Sequence, residues 1–198
     1  MATHSKRYLT KEEYLNRLEV FKRNSFRITE HNNKTQRNYS LSINKYADLT
    51  NKEFREIYAK RRASNEASTP VHLKEEGMPE KVDWRELGAV NPVMDQGQCG
   101  SCWAFSAVGA IEGAHFVKTK ELLKLSEQQM VDCARDDYGN FGCGGGDEKA
   151  GLRYAMKNPI DSEETYPYTA TDQKCKETTQ SGLVIVTSVN LVSHNSPD

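Results

Sequence analysis

The sequence contains no apolar run of 18 residues, which excludes a membrane-spanning helix. Its first residues, "MATHSKRYLTKEEYLNRL", hold no apolar h-region, so the chain as written is expected to carry no signal peptide. Cysteine is scarce and odd in number: Cys99, Cys102, Cys133, Cys143 and Cys175. An odd count points to two disulfides and one free thiol in an oxidising compartment, whereas the lack of a leader points the other way. Net charge is nearly absent, at -1, but it is unevenly spread. Residues 1–77 hold 16 Lys+Arg against 10 Asp+Glu, and residues 78–198 hold 11 against 18. The two halves should therefore attract each other. The positive charges of the first half are interleaved with acids, which argues against a nucleic-acid binder. There are no internal repeats, and 198 residues suit one or two soluble domains with a sizeable core.

Periodicity supplies the elements. Glu13, Arg17, Phe21, Asn24, Ile28 and Asn32 fall on one slowly drifting face of a helix over residues 11–32, with Glu13 and Arg17 able to pair at i,i+4. In "LSINKYADLT", the alternation of Ser42, Asn44, Tyr46 and Asp48 predicts a short strand. Thr50 and Glu53 form a capping box for a helix through about Arg61. The small, polar stretch from Arg62 to Gly77 reads as an exposed linker. Beyond it, "VDWRELGAV" predicts a strand and turn. A helix from about Cys102 to Lys118 is apolar nearly all round, which predicts burial. Ser126 and Gln129 cap a helix ending near Cys133, a short helix spans Glu148 to Lys157, and "SGLVIVTSV" is β-rich.

The chemistry depends on "QGQCGSCWAF", residues 96–105. A thioredoxin-like redox pair needs a βαβ pattern, and the preceding "AVNPVMDQGQ" is turn-rich and polar. A zinc site needs a second close pair of ligands, but Cys133 and Cys143 are far apart with no histidine near. Incidental cysteines on a core helix leave the glycine-rich lead-in unexplained. A nucleophile explains more. Cys102 would stand at a helix N-terminus, where the macrodipole and unpaired N–H groups favour a thiolate. The side-chain NH2 of Gln96, on a glycine-bounded turn, could join the Cys102 N–H in stabilising an oxyanion. Cys99 would be structural.

"CGSCW" is the local signature of papain and cathepsin cysteine peptidases. "DWRELGAVNPVMDQGQCGSCWAFS" resembles the start of a mature cathepsin L-like enzyme, and "LSEQQMVDC", "GCGGG" and "SEETYPY" follow in the family's order. Upstream, Glu13, Arg17, Phe21, Asn24, Ile28 and Asn32 match the ERFNIN proregion pattern. Asn44, Tyr46 and Asp48 match the neighbouring GNFD-type pattern, with Ser42 in place of its glycine and Tyr46 in place of its phenylalanine.

The resemblance implies an α+β fold. A helical inhibitor proregion would occupy residues 1–61 and a linker to the activation site residues 62–77. Residues 78–198 would be the N-terminal part of a papain-like peptidase domain, comprising its α-helical left domain without most of the β-rich right domain. It implies a zymogen of a cysteine endopeptidase, with Cys102 as nucleophile and Gln96 as oxyanion donor. It also implies disulfides Cys99–Cys143 and Cys133–Cys175, and substrate binding by Gly145, Gly146, Asp147 and Glu148. Glycine at 144 and acids at 147 and 148 depart from the family, which usually has asparagine at the first and an apolar pocket wall at the others. No cofactor or metal is implied. Partners would be polypeptide substrates and the chain's own proregion, which acid loosens, with no nucleic acid or membrane. The family pattern places the protein in lysosomes or outside the cell.

The family also needs a histidine and an asparagine roughly 130–150 residues after the cysteine, which falls beyond Asp198. His194 sits in an unrelated context, and His115 lies about 20 Å along the Cys102 helix at 1.5 Å per residue. The chain as written is therefore expected not to turn over peptides. An alternative reading is a non-catalytic inhibitor of related cysteine peptidases.

Overall fold

The computed structural model describes residues 4, 6–34, 38–60, 79–176 and 182–190. The chain divides into two compact units, Met1–Ile57 and Tyr58–Asp198. The expected linker and His194 lie outside the described residues.

In the first unit, Thr10 starts helix α1, Lys11–Asn32, by accepting the Glu13 N–H on its hydroxyl at 3.1 Å. Glu13 reaches back to accept the Leu9 N–H at 2.9 Å, fixing the chain that leads into the helix. The expected pair of Glu13 with Arg17 gives way to longer-range contacts. Arg17 donates to the Glu53 carboxylate at 2.8 Å and to the Asp48 carbonyl at 3.3 Å. Glu13, Arg17, Phe21, Asn24 and Ile28 are half-buried, as the helical period predicts, but no residue of α1 is fully buried.

The strand expected over residues 42–48 is absent, and successive turns take its place. Asn44 closes them, its side chain accepting the Tyr46 N–H at 2.9 Å and its carbonyl the Ala47 N–H at 3.1 Å. The α1 side chains occupy the backbone groups a sheet partner would need. Asn24 donates to the Ala47 and Leu49 carbonyls, both at 2.9 Å, and the Asn32 amide exchanges two bonds with Leu41, both at 2.8 Å. The buried Asp48 carboxylate pairs with Lys6 at 3.0 Å and accepts the Tyr8 hydroxyl at 2.9 Å. Burial, then that bond, pushes Tyr8 up to about 12.

The Thr50 capping box forms. Its hydroxyl accepts the Glu53 N–H at 3.2 Å, and Glu53 accepts the Thr50 N–H at 2.8 Å. Helix α2, Asn51–Tyr58, follows and stops short of the expected Arg61.

The second unit is built on helix α3, Cys102–Thr119, packed against α4, Glu127–Cys133, and α5, Glu148–Ala155. Small residues permit the close approach. A Cβ added at Gly151 on α5 would lie 3.2 Å from the Ala107 Cβ and 3.3 Å from the Trp103 ring. Trp103, Ala104, Ala107, Val108 and Ile111 join Leu125, Met130, Val131, Tyr154 and Ile160 in one buried cluster. Each large side chain buried in this way stabilises the fold by about 1.5–3 kcal/mol.

Burial of α3 is one-sided, contrary to the sequence expectation. Ser106, Gly109, Ala110, Ala114 and Val117 are exposed, because α4 and α5 cover only the Trp103–Ile111 stripe. The α4 capping box forms through Ser126, which accepts the Gln129 N–H at 3.0 Å.

Two further expected strands are not formed. "VDWRELGAV" keeps only its turn, in which Asp83 accepts the Arg85 N–H at 2.9 Å and the Trp84 carbonyl accepts the Ala89 N–H at 2.9 Å. In "SGLVIVTSV", Val184 makes an isolated bridge with Ile160. The next donor, the Val186 N–H, goes to the Ala155 carbonyl at the end of α5 at 3.0 Å, which takes the chain out of ladder register. The described residues thus hold helices, two isolated bridges and no strand.

Candidate active site

The loop into α3 is folded by its own polar groups. Asp95 accepts the Gly97 N–H at 3.0 Å, and Gly97 takes a φ of 63°, a region that favours glycine. The chain then turns so that the Gln96 side-chain amide donates to the Cys99 carbonyl at 2.7 Å. Cys99 is buried and bonded to Cys143. The Gly100 N–H donates to the Cys143 carbonyl at 3.0 Å, and a Cβ at Gly100 would lie 2.6 Å from that oxygen. Cys102 is the first residue of α3, half-buried, and the free cysteine of the five. Cys133 is bonded to Cys175. No side-chain bond from Ser101 caps the first turn of α3, whose Ala104 N–H donates to the Ser101 carbonyl at 2.9 Å.

The glycine loop stands beside this turn. The Trp103 indole donates to the Gly142 carbonyl at 3.1 Å, tying α3 to the loop. Gly145 adopts a φ of 105°. A Cβ on Gly146 would meet the Asn140 Oδ1 at 2.4 Å and the Trp103 ring at 2.9 Å, so the loop lies flat against the helix only as glycine. Asp172 supports the far side by accepting the Cys143 N–H at 2.8 Å.

Residues 58–60 run along these groups. The Gln96 amide donates to the Tyr58 carbonyl at 3.0 Å, and the Gly146 N–H donates to the Lys60 carbonyl at 3.2 Å. A Cβ at Gly145 would lie 2.1 Å from that Lys60 oxygen. One stretch of main chain therefore occupies both an amide donor beside Cys102 and a backbone donor of the glycine loop.

The two acids that follow the glycines are placed differently. Asp147 is buried and caps α5, accepting the Lys149 N–H at 2.8 Å. Glu148 is the half-buried first residue of α5. A cavity of about 690 Å³ opens on the other side of Cys102, lined by Gln96, Phe105, Met94, Trp84 and the Lys124–Glu127 pair. Burial pushes the Glu127 carboxyl above the usual range despite its bond to Lys124 at 2.5 Å.

Among the described residues, no group of three or more His, Cys, Asp or Glu side chains is arranged to hold a metal, and no helix is long and apolar enough to cross a membrane. Sequence reasoning passed over Tyr168 in "SEETYPY". Its hydroxyl lies 2.8 Å from the Gln96 carbonyl and 2.6 Å from the Ser101 hydroxyl. These contacts join residues far apart in the chain, so no local pattern signals them.

The thiol at the start of α3 thus shares one loop with a glutamine amide, and a glycine loop is tied to the same helix. The model of the papain family cysteine protease matches residues 78–198, and that of the cathepsin propeptide inhibitor domain matches residues 1–54. This chain belongs to the papain family of cysteine proteases. Among its relatives, procathepsin L of Mus musculus is 43% identical over 184 residues, which are 88% of this chain and 54% of the relative. Digestive cysteine proteinase 1 of Homarus americanus is 45% identical over 177 residues, 86% of this chain and 55% of the relative.

Solved structures agree. A recombinant stem bromelain precursor superposes with a TM-score of 0.80 at 31% identity, covering 94% of this chain and 61% of that one. The digestive procathepsin L2 proteinase from Tenebrio molitor larval midgut gives 0.81 at 30% identity, covering 93% and 62%. The family assignment covers both parts of the chain, a propeptide inhibitor domain and a papain-like domain that is helical where described. The chain spans about half the length of the curated relatives it matches.

Proposed function

We propose that this chain is the proregion and the nucleophile-bearing part of a cysteine endopeptidase zymogen, with residues 1–61 as the inhibitor, 62–77 as the linker and 78–198 in the peptidase domain. The Cys102 thiolate attacks the scissile carbonyl carbon. A C–S bond forms, and the carbonyl electron pair moves to oxygen. The Gln96 side-chain NH2 and the Cys102 N–H donate to that oxygen. Collapse expels the amine, which takes a proton from a general acid, and leaves an acyl-enzyme for water to hydrolyse. Gly145 and Gly146 hold the substrate main chain in extended form. Asp147 caps α5, and Glu148 follows it as the first residue of that helix, where both acids stand at the end of the glycine loop that would meet substrate side chains.

The observation that carries this reading is the course of residues 58–60. Their carbonyls at Tyr58 and Lys60 accept from Gln96 and Gly146, the two groups the mechanism assigns to substrate. A main chain lying there blocks the site until it leaves. Polypeptides are the substrates this geometry fits, and the proregion is their competitor.

Among the described residues of the second unit the histidine is His115, thirteen positions along α3 and about 20 Å from Cys102 at the helical rise. The general acid is thus not among these described residues.

The test is labelling by a peptidyl vinyl sulfone before and after proteolytic cleavage within residues 62–77. Labelling at Cys102 that rises on cleavage and disappears in Cys102→Ala supports the reading. No labelling of Cys102 after cleavage would contradict it.

A further inference from the structure

Oxyanion stabilisation demands a fixed separation between the Gln96 amide and Cys102, yet the loop between them contains Gly97 and Gly100, its two most permissive residues. The loop's own bonds fold it, and groups outside the loop add to that hold. The Cys99–Cys143 disulfide fixes its middle. Tyr168, 66 or more positions away in sequence, fixes both of its ends with one hydroxyl. That hydroxyl donates to the Gln96 carbonyl at 2.8 Å and accepts from the Ser101 hydroxyl at 2.6 Å, which uses the donor of each group. Ser101 is fully buried and immediately precedes Cys102. The neighbouring turn reinforces the contact, since a Cβ at Gly97 would lie 3.0 Å from the Ala170 Cβ.

We infer that Tyr168 is a positioning residue, whose hydroxyl sets the Gln96 amide against Cys102 by bridging the Gln96 carbonyl and Ser101. The inference rests on the proposed role of Gln96 and names the group that keeps it in place. The ring does not depend on the hydroxyl for its seat. It meets Phe105 edge-on at 4.9 Å between centroids, and the Tyr168 N–H donates to Glu163 at 2.8 Å. Burial holds the Tyr168 hydroxyl above its ordinary pKa, so it remains a donor through neutral pH. Without the hydroxyl, the Gln96 carbonyl loses its donor and the peptide into Gly97 is free to rotate, which swings the side-chain amide.

A peptidyl aldehyde reads this directly. The Cys102 sulfur adds to the aldehyde carbon and the carbonyl electron pair passes to oxygen, giving a hemithioacetal oxyanion that the Gln96 amide stabilises by donation and that can take up a proton from water. Iodoacetamide reads the thiolate alone, since sulfur displaces iodide with no oxyanion. In the full chain cleaved within residues 62–77, Tyr168→Phe should weaken aldehyde binding about tenfold, less than the roughly hundredfold expected when an oxyanion donor is lost outright. The iodoacetamide rate at Cys102 should stay within about twofold, because the helix start is intact.

Gln96→Ala should weaken the aldehyde by a similar or larger factor, and adding Tyr168→Phe to it should change nothing more, as expected for residues acting through one another. Ser101→Ala, the second probe of the bridge, should weaken the aldehyde about threefold. Unchanged aldehyde affinity in both Tyr168→Phe and Ser101→Ala overturns the inference. So does full additivity with Gln96→Ala, or an iodoacetamide rate that falls in step with aldehyde affinity. If the unsubstituted chain forms no adduct at Cys102, the proposed function fails, and this inference fails with it.

Discussion

The two units of this chain solve the same problem with different chemistry. Residues 1–57 contain no cysteine, and neither of their helices buries a residue fully. Arg17, Asn24 and Asn32 hold that unit together by capturing backbone carbonyls and Glu53. The second unit closes an apolar cluster around Trp103, Met130 and Ile160 and adds two disulfides. Hydrogen bonds to partly exposed backbone are each worth about 1 kcal/mol net. Buried side chains and crosslinks contribute several-fold more.

Acid separates them further. In the first unit, the Thr50 N–H and hydroxyl, then Arg17, hold the Glu53 carboxyl below its ordinary 4.5. A folded-state value below the unfolded one contributes stability above the unfolded pKa, and that stability is lost as pH falls through the folded value. In the second unit the buried acids Glu127 and Asp161 are shifted up by desolvation. Their effect has the opposite sign: stability is greatest when they are protonated and is lost as pH rises through the folded value. Exposed Asp83, lowered by Arg85, is the exception.

The contrast can be broken most strongly at a crosslink. Replacing Cys133 and Cys175 by serine opens a bridge of sequence separation 42 and should destabilise the second unit by about 4 kcal/mol in urea denaturation, with the first unit unmoved. Met130→Ala, in the closed core, should cost that unit about 3 kcal/mol. Asn24→Ala removes both carbonyl contacts from α1 and should cost the first unit about 1–2 kcal/mol without touching the second. Loss of stability in both units from any of these would erase the distinction. Glu53→Gln should have the smallest effect at neutral pH, about 1 kcal/mol. It should also flatten the acid limb of the first unit's melting curve, while an unchanged limb would remove Glu53 from the account.

Much of this organisation was legible in the sequence. Thr50 and Ser126 announced their helices because capping is local chemistry, whereas the Thr10 cap of α1 was not read. The period through Glu13, Arg17, Phe21, Asn24 and Ile28 marked the inward face of α1. The alternation of Ser42, Asn44, Tyr46 and Asp48 misled, because a period of two reports side chains and not who takes the backbone, and here α1 takes it. The composition of α3 could not say which side α4 and α5 would cover. Cys102 and Gln96 were visible through their neighbours in one loop. Tyr168 was not, since its contacts cross more than 60 residues. The course of residues 58–60 was likewise a matter of tertiary structure.

The central claim is that the first unit yields to acid while the second holds. Hydrogen exchange by mass spectrometry on the intact chain, between neutral pH and about pH 4 near the ordinary glutamate value and corrected for intrinsic rates, tests it directly. The account predicts that protection over Lys11–Asn32 and Asn51–Tyr58 falls as the pH drops, while that over Cys102–Thr119 and Glu127–Cys133 persists. Protection lost together in both units, or first from Cys102–Thr119, would contradict it.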